Sequence, residues 1–324
     1  MKTITKIALT LAAVIIATSA FAARDNKRQL HGSGNIISKE ITISNDYTTL
    51  LATTGVEVVM NESQDNIVKI EADDNVMEWV VCEVKGDILE VTVRKPNCNS
   101  YSNLNVTVTI PKNEKLQRIE SRASANVHIK PTLTGDNKLF LRASSSADIV
   151  INRAEKKEVG IDASSSANVS GAFKAEFCAM KASSSADIEA SVLAEKLSLW
   201  ASSSGTVKLN GGATTISAEA SSSGDILCSN VSTETAFGAA SSSGKIVFNC
   251  SGRLIAKASS SGDIISTNSA AQTASVQVAS GGTVKLKCDG TLTAQASSGG
   301  DIRYTGDCKV EFVQTASGGS IKKF

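Results

Sequence analysis

The chain has 324 residues with 33 basic and 32 acidic side chains, so its formal net charge is only +1. A balanced charge without basic blocks argues against binding to nucleic acid or to anionic lipid. Aromatic residues make up only 4% of the chain, which favours narrow stacked coils over a globular core built on large side chains.

The first 22 residues are typical of a cleaved secretory signal. Lys2 and Lys6 form its positive start, residues 7–18 its apolar run, and residues 20–22 a small-x-small cleavage site. The run is shorter than the ~20 residues that cross a bilayer, and no later segment is apolar enough to span one. We therefore expect an exported protein without a membrane span, located in the periplasm, on the outer surface or outside the cell.

A polar lead, residues 23–30, precedes a strand-rich part, residues 31–117. Short segments with alternating apolar and polar residues follow one another there, separated by turn signals such as Gly55 and Gly86. We expect this part to form irregular first coils of a solenoid or a cap on it. In an exported protein its two thiols, Cys82 and Cys98, could be bridged.

Near-copies of A-S-S-S-G-D-I then fill residues 118–324 with a period of about 19 residues. Self-similarity at such a period predicts a stacked repeat architecture. Each copy ends on an Ile or Val, which we call the anchor. The anchors are Val127, Ile149, Val169, Ile188, Val207, Ile226, Ile246, Ile264, Val284, Ile302 and Ile321.

Small or apolar residues occupy every second place before the anchor, which is the period of a strand with one face turned inward. A coil this short has no room for a helix. The pattern therefore predicts an all-β fold, a single-stranded right-handed parallel β-helix with coils of about 19 residues. Cysteines 178, 228, 250, 288 and 308 are interpreted as small hydrophobes inside these coils.

If the strand alternation continues through the motif, the Ser four places before each anchor faces inward. Examples are Ser145, Ser203 and Ser222. Their hydroxyls would form a hydrogen-bonded ladder inside the solenoid. The two flanking Ser would face outward as a hydroxyl array. The small residue two places before the anchor, such as Gly205, is predicted to make a sharp corner.

The residue just before the anchor is Asp in alternate coils only. These aspartates form the candidate binding ladder: Asp148, Asp187, Asp225, Asp263 and Asp301. Stacked carboxylates about 5 Å apart repel one another, whereas salt screens most of the repulsion at twice that distance. The alternation therefore predicts a unit of two coils.

Three classes of function remain open. A polysaccharide-active enzyme needs two carboxylates roughly 5–10 Å apart, and Asp148 and Asp187 fit that spacing. However, all pairs along the ladder are equivalent, and the only two histidines, His31 and His128, precede the first aspartate of the ladder. We predict no catalytic residue, metal or cofactor. We therefore predict a non-enzymatic binding module. The alternatives are the polysaccharide-active enzyme and an ordered hydroxyl surface that binds ice or a crystal.

Four segments, residues 32–36, 55–58, 67–74 and 86–91, precede the serial S-S-G-D-I copies. Together they resemble the putative auto-transporter adhesin, head GIN domain family of exported Bacteroidetes proteins. The resemblance covers nearly all of the mature chain. It implies a pectin-lyase-like β-helix without catalytic residues and an adhesin of the cell envelope. A host or cell-surface glycan or protein would be the partner, and the oligomeric state stays open.

Overall fold

The computed structural model describes residues 29–324, which form one stack of β-strand coils around a narrow apolar core. The expected signal peptide and nearly all of the polar lead lie outside the described residues. Within residues 29–324, no helix is long and apolar enough to cross a membrane. The structure is a β-solenoid of about 11 turns, so the predicted parallel β-helix is confirmed.

The part before the regular repeats contains nine short strands and one 3-10 turn at Met77–Trp79. The strands are β1 (Gln29–His31), β2 (Ile36–Thr42), β3 (Thr49–Thr53), β4 (Glu57–Met60), β5 (Ile67–Asp73), β6 (Val80–Lys85), β7 (Ile88–Val93), β8 (Ser100–Ser102) and β9 (Val106–Ile110).

The regular repeats contain the remaining strands, several of which bend around a corner and contribute to two sides of the coil. They are β10 (Arg118–Arg122), β11 (Asn126–Leu133), β12 (Lys138–Ser144), β13 (Asp148–Glu155), β14 (Glu158–Ser164), β15 (Asn168–Ser183), β16 (Asp187–Ser202), β17 (Thr206–Ala220), β18 (Asp225–Ala240), β19 (Lys245–Val247), β20 (Cys250–Ala258), β21 (Asp263–Val278), β22 (Thr283–Ser297), β23 (Asp301–Thr305), β24 (Lys309–Ala316) and β25 (Ser320–Lys323).

Neighbouring coils pair in parallel and place like positions of the repeat side by side. Between β16 and β17, for example, Ile188 lies opposite Val207. The anchors Ile149, Ile188 and Val207 are at most 1% exposed. Each large aliphatic side chain buried in this way contributes about 1.5–3 kcal/mol. The alternating pattern of the repeat therefore forms the core as predicted.

The first strands do not stack in chain order. The coil made by β3 and β4 lies between the coil of β7 and β9 and the coil of β10 and β11. On the far side of the coil of β7 and β9, β6 pairs antiparallel with β7, and β5 pairs antiparallel with β9. Strand β2 then pairs antiparallel with β5. This part thus adds two coils to the solenoid and closes its first end with antiparallel strands.

Candidate functional site

The serine motif forms a tight turn at one corner of each coil. Ser203 and Ser204 have φ angles of 50° and 61°, both in the left-handed region. The N–H of Gly205 donates a hydrogen bond of 2.9 Å to the carbonyl of Ser202. Positive φ at both central residues with this hydrogen bond defines a type I′ turn.

The predicted inward serine ladder is wrong. The Ser four places before the anchor is exposed at the tip of the turn, as at Ser145, Ser203 and Ser222. Both tip residues have the same left-handed conformation, so the strand alternation stops there. The next inward residue is the small one two places before the anchor, such as Ala147.

The small residue two places before the anchor is therefore not the corner itself but lies beneath it. At Gly205, an added Cβ would come within 2.6 Å of the carbonyl oxygen of Ala182 in the preceding coil. This close approach accounts for the glycine at position 205, whereas earlier coils hold Ala at the same place, as at Ala147. The two exposed tip positions carry the outward hydroxyls, and Gly281, Gly299 and Gly318 replace one of them in the last three turns.

The five predicted ladder residues do share one outward column. The strand pairing aligns this column coil by coil as Asp148, Asn168, Asp187, Thr206, Asp225, Lys245, Asp263, Thr283 and Asp301. Two coil spacings separate successive aspartates, about 9–10 Å.

Neighbouring side chains already bond to two of the ladder aspartates. Asn168 donates a hydrogen bond of 2.8 Å to Asp148, and Arg303 forms an ion pair of 2.6 Å with Asp301. Lys245 stands between Asp225 and Asp263 in the column. The structure does not gather the aspartates into one cluster, and among residues 29–324 no three metal-binding side chains come together.

A groove runs along the solenoid on the other side of the serine corner, over the later coils. Its volume is about 580 Å³. One wall is the outward column that lies seven places before each anchor. The residues of this column pair in the order Glu219, Ala239, Lys257, Gln277, Gln295 and Gln314.

The opposite wall is formed by the first residue of each turn. These wall residues are Ser241, Ser259, Ala279, Ser297 and Ala316. Between the walls, the floor consists of small buried residues such as Ala240, Ala258 and Ala296. Six coils at about 4.8 Å make the groove about 24 Å long.

The side chains of the groove suit a neutral ligand rich in hydroxyl groups. Its two charged residues, Glu219 and Lys257, have opposite signs. The amide of Gln277 donates a hydrogen bond of 3.2 Å to the side-chain oxygen of Gln295, which begins a row of three stacked amides. Amides and hydroxyls both donate and accept hydrogen bonds. The groove therefore offers three amides and three hydroxyls along an extended line.

Trp200 precedes Glu219 in the same column and stands at one end of the groove. The Nζ of Lys181, from the coil before, lies 4.5 Å from the centre of its ring. A cation over an indole face is a favourable contact that fixes the orientation of the ring. Trp200 thus stands one coil before Glu219, the first residue of the groove wall.

The family described as "Putative auto-transporter adhesin, head GIN domain" matches residues 46–193 and, overlapping them, residues 157–270. The chain belongs to this family. An adhesin family indicates an exported or surface protein that binds other molecules. A search of curated proteins finds no match.

Solved structures of Parabacteroides proteins are similar over most of their length. One, described as a putative lipid binding protein of Parabacteroides distasonis, has 20% identity and a TM-score of 0.47, covering 91% of this chain and 99% of the other. Another, described as a putative adhesin of Parabacteroides merdae, has 17% identity and a TM-score of 0.49, covering 92% and 99%. These values are too low to transfer a ligand from those proteins to this one.

The groove column was not predicted from the sequence of this family member, because its residue type changes from coil to coil. A signal was nevertheless present: Gln277, Gln295 and Gln314 recur at the period of the repeat.

The two cysteines of the first part, for which a disulfide was considered, are not bonded to each other. Cys82 and Cys98 are free thiols, and the Cys98 thiol donates a hydrogen bond of 3.1 Å to the Ser100 carbonyl.

Proposed function

We propose that the protein is an exported, non-enzymatic adhesin that binds an extended glycan chain of a host or bacterial surface along its groove. The observation that supports this most directly is the groove itself, an extended channel over six coils with polar side chains on both walls. Its walls present hydroxyls at Ser241, Ser259 and Ser297 and amides at Gln277, Gln295 and Gln314. A chain of linked sugar units offers hydroxyl groups at a comparable repeat.

The chemistry of the groove favours a glycan over other chain-like ligands. A nucleic acid requires a basic channel, whereas here Lys257 is balanced by Glu219. A lipid or an apolar peptide requires large apolar side chains, and the floor offers small ones such as Ala258. Protein hot spots are enriched in Trp, Tyr and Arg, which do not line this groove.

Binding of this kind is weak at each coil and gains strength from repetition. Linked contacts act at a high effective concentration once the first contact has formed. A solenoid held together by parallel strand pairing presents its side as a long surface of fixed spacing. That design suits attachment to a polymer on a surface rather than capture of a small molecule.

A glycan and matrix-protein array, probed with the mature protein, tests the proposal. Ala239→Trp places a bulky side chain in the wall of the groove, and Ser232→Trp is the matched control on an exposed position of the same strand. We expect glycan binding that the first variant abolishes and the second preserves. Binding only to proteins, or glycan binding unaffected by Ala239→Trp, would contradict it.

The non-enzymatic part is tested by a polysaccharide turnover assay on the array hits. We expect no turnover above buffer by the wild type. Turnover that is lost in Asp187→Asn and kept in Asn168→Asp would show instead that the aspartate ladder catalyses hydrolysis or elimination. Fractionation of the producing cell tests export, since an adhesin must leave the cytoplasm.

A further inference from the structure

One corner of the first coils carries a long excursion where the neighbouring coils make a tight turn. Strands β3 and β4 are joined through Thr54 and Gly55, which both have positive φ. The strands paired with them, β7 and β9, are joined by residues 94–105 instead. Insertions into repeat proteins lie on one face, which is often the binding face. The excursion therefore marks this corner as a candidate binding face.

Several contacts hold the excursion in place. Its strand β8 pairs in parallel with β1. The N–H of Lys95 donates a hydrogen bond of 3.3 Å to the Tyr101 hydroxyl, which fixes that side chain. At Gly32, an added Cβ would collide with the carbonyl oxygen of Asn103, so the excursion packs closely against the segment after β1. It is thus a positioned part of the fold.

A cavity of about 630 Å³, which we call the corner cavity, lies between the excursion and the turns of the next three coils. Backbone hydrogen bonds of 3.0 Å join these turns, from the N–H of Gly55 to the Ala123 carbonyl and from the N–H of Ser124 to the Ser145 carbonyl. The volume is typical of ligand pockets, which measure roughly 300–1,000 Å³. The lining residues are Thr54, Gly55, Tyr101, Ser102, Asn103, Leu104, Ala123, Ser124 and Ser145.

The lining of the corner cavity suits a neutral ligand with an apolar face and hydroxyl groups around it. The excursion contributes Tyr101 and Leu104, both partly exposed. The turns contribute the hydroxyls of Thr54, Ser124 and Ser145, which can donate and accept hydrogen bonds. None of the described residues that line the cavity is charged. An ionic ligand would therefore lose its hydration without meeting an opposite charge.

We propose that the corner cavity is a second binding site and takes one sugar ring, either a free sugar or the end of a glycan chain. A pyranose ring has C–H groups on its faces and hydroxyls around its edge. Its face would pack against Tyr101 and Leu104, because a tyrosine offers an apolar body. Its hydroxyls would bond to Ser124 and Ser145. The site goes beyond the proposed function, since it shares no residue with the groove.

The test is NMR mapping of amide shifts in the mature protein. The probes are the methyl glycosides of glucose, galactose, mannose and N-acetylglucosamine, with their disaccharides as a second arm. We expect a methyl glycoside to shift the amides of residues 101–104 and 123–124 saturably. A disaccharide that causes the same shifts would identify the end of a chain as the ligand, whereas one that causes none would identify a free sugar.

Two variants at equivalent turn positions separate binding from folding. Ser124→Trp fills the corner cavity, whereas Ser204→Trp changes the matching tip of a later coil, and both residues have a φ of 61°. We expect Ser124→Trp to weaken glycoside binding by about tenfold or more, and Ser204→Trp to leave it unchanged. Tyr101→Ala, which removes the ring without filling the cavity, should also weaken binding.

The proposal would be overturned if no glycoside shifted these amides, or if the shifts persisted in both Ser124→Trp and Tyr101→Ala. Shifts caused by cyclohexanol and by none of the glycosides would overturn it as well, because the cavity would then be an apolar site. The groove variant Ala239→Trp should keep the shifts at residues 101–104. The corner cavity and the groove are therefore tested separately, and either proposal can fail alone.

Discussion

The backbone N–H of Ser204 donates a hydrogen bond to the carbonyl oxygen of Ser222, 3.1 Å away, and so joins the corners of two adjacent coils. The same bond links Ser185 to Ser203 at 3.0 Å. The serine motif is therefore a ladder of backbone hydrogen bonds between turns. Its hydroxyl groups are directed away from the core, so the motif serves the fold and leaves the outer walls free to vary.

The left-handed conformation of the turn residues should make glycine acceptable there. We expect Ser203→Gly to leave stability unchanged or to raise it by up to about 1 kcal/mol, because glycine adopts positive φ without steric cost. Ser203→Val should lower stability by at least about 1–2 kcal/mol, since a β-branched residue is strained in this region. Urea unfolding measures both changes.

The matched control is Ser198→Gly, an exposed position within β16. Glycine there should destabilise by about 0.5–1 kcal/mol, because it weakens a strand interior. Equal losses at Ser198 and Ser203 would show that the turn is not left-handed in solution.

The alternation of aspartates should reflect charge repulsion between coils. Thr206→Asp would stack a third carboxylate between Asp187 and Asp225. We expect a loss of about 1–2 kcal/mol at low salt that shrinks in 1 M salt, as screening predicts. The neutral control, Thr206→Asn, should cost less and show no salt dependence. A salt-independent loss in the aspartate variant would refute the repulsion.

Asp73 holds together three segments of the first part. It is fully buried and accepts hydrogen bonds from the N–H of Gly34 at 2.7 Å and from the N–H of Asn105 at 2.8 Å. Asp73→Ala removes the charged acceptor of both bonds, so we expect a loss of about 1.5–3 kcal/mol. Proteolysis within residues 32–35 reports the opening, and Asp136→Ala, at an exposed loop position, is the control.

The same carboxylate predicts a pH dependence. Burial alone would raise the pKa of Asp73, but the hydrogen bonds from Asn105 and Gly34 outweigh it and lower the pKa below 3.8. As the pH falls, the unfolded chain takes up the proton first. The stability contributed by Asp73 is thus complete above its unfolded pKa and is lost as the pH falls below about 4. An Asp73→Asn variant should show less of this loss in acid melting curves.

Lys156 closes the longest of the regular coils. Its Nζ donates hydrogen bonds of 2.7 Å to the Thr134 carbonyl and to the side-chain oxygen of Asn137. Lys156→Met keeps the length of the side chain but loses the donors, so we expect a loss of about 1–3 kcal/mol. Lys157→Met, at the exposed neighbouring position, should change stability by less than about 0.5 kcal/mol. Equal losses of stability in the two variants would show that the hydrogen bonds of Lys156 do not stabilise this coil.

The sequence predicted whatever depends on the repeat period. The anchors and the inward alanines follow strand alternation, so their burial could be inferred from spacing alone. The alternation failed at Ser145 and Ser203 because a two-residue turn interrupts the strand, and positive φ in serine has no strong sequence signal.

Other features depend on contacts between distant segments. Nothing in the local pattern of β4 indicates that it lies between β9 and β11, because all these strands alternate in the same way. The groove could not be predicted because its residues differ from coil to coil, whereas the strands of the first part are too much alike. Its wall changes from Glu219 to Lys257 to Gln295, so only the stacked arrangement brings these side chains into one line.

The most direct test of the proposed function is the affinity of the protein for a length series of its glycan ligand, measured by titration calorimetry. We predict that affinity rises with each added sugar unit until the chain spans the groove of about 24 Å, and that Ala239→Trp removes the rise while Ser232→Trp preserves it. A single sugar unit that binds as tightly as the longest chain, or a rise that persists in Ala239→Trp, would contradict the assignment of the groove.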